Sequence, residues 1–191
     1  MKQKTKYNAA LIAVSAMFAA MFVGGKEALA VLPNIEVVTL LIAICAYVWG
    51  PIVVFPAVNV FIAVDMAIWG INTWIISYFI HWNVVALAFL LLSKARFNNK
   101  VVEVVVATLT AGVFTTFFGV VTSAVDTLVG YTGAGFFVDV DNYFARFAVM
   151  YVSGGSFYTT QIVCNVVLFA VAFLPLVLLS RKARLRMTAE Q

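Results

Sequence analysis

Six long apolar runs, with nearly all of the positive charge confined to the two termini and one connecting loop, restrict this chain to one kind of surroundings. They span Ala9–Val23, Ile35–Trp49, Ile52–Trp69, Trp74–Leu92, Val101–Val129 and Tyr158–Leu179. Only 10% of residues are charged and 64% are hydrophobic, against about 25% charged in a typical soluble domain. That leaves too little polar surface to cover a water-soluble globule, so lipid must be the solvent over most of the chain. The expected fold is all-α: an integral membrane bundle of six transmembrane helices, formed by residues 1–191 as one domain. Gly50-Pro51 leaves almost no loop between the second and third runs, which predicts a tight helical hairpin. The fifth run is long enough to tilt or to project from the bilayer.

The cations orient this bundle. Ten of the 12 Lys and Arg residues are Lys2, Lys4, Lys6, Lys94, Arg96, Lys100, Arg181, Lys182, Arg184 and Arg186. With six spans, the N-terminus, the Lys94–Lys100 loop and the C-terminus share one side. The positive-inside bias makes that side the cytoplasm, with both termini on it. Lys26 and Arg146 are left on the outer side with Glu27, Glu36, Asp139 and Asp141, while Asp65 and Asp126 fall in the outer halves of their helices. A net charge of +4 distributed in this way is a membrane-flank pattern and gives no reason to expect nucleic acid.

Lys2, Lys4 and Lys6 ahead of an apolar run, followed by Ala28-Leu29-Ala30, have the outline of a signal peptide. Lys26 and Glu27 directly before that site argue against cleavage. Cys45 and Cys164 lie in apolar runs without C-x-x-C spacing and read as packing residues. There is no G-x-x-x-x-G-K-[ST] phosphate loop, no H-E-x-x-H motif and no carboxylate cluster, so no metal or cofactor is expected. Ser153-Gly154-Gly155-Ser156 lacks the G-x-S-x-G frame of a serine nucleophile, and His81 is the only histidine. A lone helical histidine is more often a packing residue than a base.

Three features could carry function. Ala9, Ala13, Ala16 and Ala20 fall on one face of the first helix, as a smooth surface for packing within the bundle or for docking a second membrane protein. Polar residues also gather in the outer halves of several helices: Trp74, Ser77, Tyr78, His81 and Trp82; Thr115, Gly119, Thr122 and Asp126; Gln161 and Asn165. Such groups are costly at membrane depth unless they pair or line a cavity, although Trp and Tyr also populate the interfaces for ordinary reasons. Asp126 stands out as a carboxylate that needs a ligand or a partner, with Arg146 as the candidate partner. Last, Gly130–Phe157 is long, with glycines at 130, 133, 135, 154 and 155, and reads as a lid or as a flexible connector. Within it, Tyr143–Val152 has helical character.

Taken together, these residues resemble the substrate-binding S component of an energy-coupling factor (ECF) vitamin transporter, over nearly the whole chain. Ala9-x-x-x-Ala13 and Ala16-x-x-x-Ala20 match that family's alanine-rich first helix. Residues Lys26 to Glu36, KEALAVLPNIE, look like the first outer loop of one subgroup. Gly154 to Asn165 looks like the start of its last helix, where Gly-Ile-Pro-Phe-Asp, then His, then Asn is usual. This chain keeps Asn165 but has Tyr158 in place of the acid and Gln161 in place of the histidine, which makes the pocket less charged.

The resemblance implies a cell-membrane transport subunit and not an enzyme. It would bind a vitamin tightly at its outer face and dock through Ala9, Ala13, Ala16 and Ala20 onto a membrane coupling subunit driven by two ATPase subunits. It would then reorient to release the vitamin inward. The implied ligand-binding residues are Lys26, Asn34, Trp74, Tyr78, His81, Asp126, Arg146, Tyr158, Gln161 and Asn165. Riboflavin, cobalamin and pantothenate are all open; the aromatic, amide-rich set favours a large, weakly charged ligand, cobalamin or a flavin, over an anion. The alternatives are a self-sufficient oligomeric transporter or channel, and a membrane enzyme or assembly factor with no ligand.

Overall fold

A computed structural model describes residues 2–32, 34–129 and 143–189, and among these all regular structure is helical. Seven helices follow in order: α1 (Lys2–Ala28), α2 (Val38–Trp49), α3 (Pro51–Trp69), α4 (Thr73–Leu92), α5 (Lys100–Val129), α6 (Tyr143–Ser153) and α7 (Gly155–Ala189). Five of them, α1, α3, α4, α5 and α7, are long and apolar enough to cross a membrane. Their outward residues are apolar too, including Leu109, Val113, Val167 and Val171. Asp139, Asp141 and the glycines at 130, 133 and 135 lie outside the described residues.

The second apolar run departs from expectation. Its helix, α2, has 12 residues, about 18 Å at 1.5 Å per residue, which is short of the length of a span. Helices α1, α3, α4, α5 and α7 pack in that order, each against the next, and α2 lies against α1, α3, α4 and α7. All of its residues except Leu41 are buried. A helix that is apolar all round belongs inside other protein, and periodicity alone does not separate such a helix from a short span.

The start and end of α2 have physical causes. Glu36 accepts from the Thr39 backbone N–H at 2.9 Å and from Thr39 Oγ1 at 2.5 Å. Its carboxylate therefore meets the positive end of the helix dipole and satisfies an otherwise orphan donor. At the other end, Arg184 donates to the Val48 carbonyl and Trp49 Nε1 donates to Ser180 Oγ at 2.8 Å. The hairpin into α3 is as tight as expected: Gly50 alone separates the helices, at φ 83° and ψ −174°. That conformation is essentially restricted to glycine, and a Cβ there would meet no atom within 4 Å. Gly50→Ala is therefore expected to act through backbone strain alone. Thermal unfolding in detergent should register a loss of about 1–3 kcal/mol.

Charge is sorted between the two ends of the bundle. At the basic end, buried Glu103 of α5 accepts from Lys100 Nζ at 2.6 Å and Tyr47 Oη at 2.9 Å, with Arg181 3.6 Å away. This cluster ties α2, α5 and α7 together. The acidic end holds Lys26, Glu27, Glu36 and Asp65. On α1, Ser15, Phe18, Ala19 and Phe22 face the core, whereas Ala9, Ala13, Ala16 and Ala20 are exposed. Among the described residues, the alanine face is thus not used for packing within this bundle.

Candidate functional site

A cavity of about 300 Å³ opens at the acidic end. Six of its lining residues come from the segment between α1 and α2: Leu29, Ala30, Leu32, Asn34, Ile35 and Glu36. Among the described residues, the cover over this end is therefore the first connection; the lid expected in the long connection falls largely on residues 130–142, outside the described residues. Asn34 adopts a left-handed conformation, φ 58°, which asparagine tolerates better than most residues.

Helix α4 supplies the aromatic wall. Its N-terminus is fixed by Asn72, whose Oδ1 accepts from the Ile75 N–H at 3.2 Å. Trp74, Tyr78 and Trp82 then recur one turn apart on the lining face. Their rings contact in sequence, at 5.3 Å between Trp74 and Tyr78 and 5.7 Å between Tyr78 and Trp82. Phe118 of α5 stacks on Trp82 at 6.3 Å. Trp69, at the end of α3, completes the rim, and its Nε1 donates to Glu27 at 3.1 Å.

The charged part of the site is compact. Lys26 Nζ lies 2.5 Å from Asp65 Oδ1 and 3.6 Å from Glu27 Oε1. It also sits 5.4, 5.2 and 5.9 Å from the ring centres of Trp69, Trp74 and Tyr78. Below the cavity, Asn165 Nδ2 donates to Glu36 Oε1 at 2.7 Å and to Thr115 Oγ1 at 3.1 Å. It thereby fastens the first connection to α5 and α7. Several buried atoms in this region have no protein partner: Asp65 Oδ2, Gln161 Oε1, Asn165 Oδ1, Trp82 Nε1 and both ring nitrogens of His81.

Of the ten ligand-binding residues that the sequence suggests, Lys26, Asn34, Trp74, Tyr78 and Gln161 line this cavity. Asn165 lies beneath it, as just described. His81 is fully buried against Trp82 and Phe118, with ring centres 4.7 Å from each; it backs the wall while Trp82 faces the cavity. Tyr158 is wedged elsewhere. It stacks on Tyr151 at 5.7 Å and shares a hydrogen bond with Ser123 at 3.2 Å. A Cβ on Gly119 or Gly154 would come within 2.9 or 2.5 Å of its ring, so those glycines admit the tyrosine.

Asp126 and Arg146 are both half-buried and outside the lining. Among the described residues the ion pairs are made by Lys26, Lys100 and Arg181, and none joins Asp126 to Arg146. The sequence reading missed Glu36, Trp69 and Trp82 as lining residues and Asp65 as the partner of Lys26. The available signal in the sequence is that Asp65 and Trp82 are polar or aromatic residues in the outer halves of their helices. No group of three or more potential metal ligands occurs among the described residues.

No protein-family model, no curated protein and no solved structure matches the chain. The fold and site define a helical, apolar bundle compatible with a multi-pass membrane protein, with a small-molecule-sized cavity at one end.

Proposed function

We propose that this chain is the substrate-binding subunit of an ATP-driven importer of the energy-coupling factor type, taking up a water-soluble vitamin at the outer face of the cell membrane. One observation carries the reading: a cavity walled by Trp74, Tyr78, Trp82, Phe118 and Gln161 at the acidic end of an apolar bundle. Small-molecule sites are concave, mostly apolar and furnished with a few polar groups. The volume lies at the low end of the roughly 300–1,000 Å³ range for such sites, which suits a compact ring system such as a flavin better than a corrinoid.

The positive-inside bias favours the basic end as cytoplasmic. In that orientation both termini are cytoplasmic, α2 with its preceding segment counts as the sixth span, and the cavity faces outward. The exposed Ala9, Ala13, Ala16 and Ala20 face supports docking onto a membrane coupling subunit, because small residues let helix backbones approach closely. Two ATPase subunits bound to that partner supply the energy in this reading.

Mass spectrometry of small molecules released from the detergent-extracted chain tests it. One ring-bearing, water-soluble compound should co-purify, and Trp74→Ala and Gln161→Ala should each weaken its rebinding about tenfold or more. Uptake by this chain alone, without an ATPase and a coupling partner, would count against the reading.

A further inference from the structure

The surroundings of Lys26 are more elaborate than charge neutralisation of Asp65 demands. Energetically significant cation–π contacts occur roughly once per 70–80 residues, yet this single ammonium faces the rings of Trp69, Trp74 and Tyr78 while bonded to Asp65. Lys26 is also the only cation lining the cavity among the described residues, whereas Glu36 lines it and Glu27 and Asp65 flank Lys26.

The unpartnered atoms point the same way. Among the described residues, Asp65 Oδ2, Gln161 Oε1 and, beneath, Asn165 Oδ1 are buried acceptors without donors, against Trp82 Nε1 as a donor without an acceptor; the two unpartnered ring nitrogens of His81 add one donor and one acceptor and leave that excess unchanged. A buried polar atom left unpaired costs about 1–3 kcal/mol. What this site lacks is positive charge and hydrogen-bond donors.

We propose that the cavity takes a ligand bearing an organic cation, such as a quaternary ammonium or a positively charged aromatic ring. Its charge sits in the cage of Trp69, Trp74, Tyr78 and Asp65, and Lys26 holds that place as a tethered stand-in until the ligand arrives. The displaced ammonium has a destination: it already lies 3.6 Å from Glu27, whose side chain is 32% exposed at the rim. The exchange has a favourable sign. A lysine ammonium is strongly hydrated and regains water at the rim, while a delocalised or alkylated cation gives up little hydration on entering an aromatic cage. The inference rests on the cavity being the ligand site of the transport reading, and it narrows the ligand from a ring-bearing nutrient to a cationic one.

Calorimetric titration of the detergent-solubilised full chain with N-methylpyridinium and with pyridine, at a pH where pyridine is neutral, tests the inference. The probes differ by one methyl group and one charge. The unaltered protein should bind the cation about tenfold or more tightly than the neutral ring, and Trp74→Ala should remove that preference. Lys26→Met, which removes the competing charge from the cage, should tighten the cation by about a further tenfold and leave pyridine within about twofold. Equal binding of the probes, tighter binding of pyridine, or binding of neither overturns the proposal. If Trp74→Ala weakens both probes alike, the cavity stands as a ligand site and only the ligand class is wrong. Binding that Trp74→Ala leaves untouched lies elsewhere and removes the premise shared with the transport reading. Should Lys26→Met fail to accumulate, the ratio on the unaltered protein and on Trp74→Ala decides.

Discussion

Ala13→Leu and Ala16→Leu should each reduce ligand uptake to background while leaving ligand affinity unchanged. Both alanines are exposed, and the residues of α1 that hold the bundle together lie on the other face, at Ser15, Phe18, Ala19 and Phe22. A leucine at either position therefore disturbs nothing among the described residues. It stands instead between α1 and any helix that approaches it, and small-residue interfaces in membranes depend on close backbone approach. The measurement pairs uptake of labelled ligand, in vesicles containing the chain with the proposed coupling and ATPase subunits, with calorimetry on the isolated chain. Phe22→Ala is the contrasting variant. Its side chain is fully buried, and the substitution should destabilise the bundle by about 3–5 kcal/mol. Equal loss of uptake and binding in Ala13→Leu would assign the stripe to folding, and unimpaired uptake would move the docking surface elsewhere.

The second large effect is expected at Lys26. Lys26→Met removes the only ion-pair partner of Asp65 among the described residues, and the Asp65 side chain is 2% exposed. Breaking a buried pair on one side costs about 3–5 kcal/mol, because the remaining charge is left uncompensated. Lys26 itself is 19% exposed, so water relieves part of this and a loss near the lower figure is expected. Adding Asp65→Asn in the same chain should restore most of the stability. The same unfolding experiment with N-methylpyridinium present should raise the midpoint of the single variant more than that of the unaltered protein, since binding to the folded state stabilises by mass action. A single variant as stable as the starting protein would show that the pair holds nothing together.

Much of the bundle was legible in the sequence because its signals are local. Hydropathy marks long helices wherever they occur, Gly50-Pro51 marks a tight turn, and the Tyr143–Val152 stretch is found as α6. The spacing of Trp74 and Tyr78 put both on one face of α4 before any neighbour was known. What failed is what depends on neighbours. Asp126 looked exceptional for its depth, but a helical face does not say which helix it meets, and the α5 residue that reaches the cavity is Phe118. Lys26 and Asp65 are 39 positions apart in the chain, so no spacing rule joins them. The short length of α2 was hidden for a related reason: Ile35 and Val37 continue the apolar run, yet the helix begins only where the carboxylate of Glu36 caps it.

In the proposed importer, the buried position of α2 bears on the distance that cargo must travel. The hydrocarbon layer is about 30 Å thick and 12 residues of helix cover about 18 Å of it. In a bilayer-spanning bundle, about 12 Å of that thickness then lies on the far side of Val38, where the non-helical connection lines the cavity. Val38 and Gln161 are among the lining residues. In the proposed import, with Trp49 at the inner boundary of the hydrocarbon, a molecule resting against them has more than a third of the barrier behind it before any rearrangement begins, so the later movement has only the remaining part of the barrier to complete.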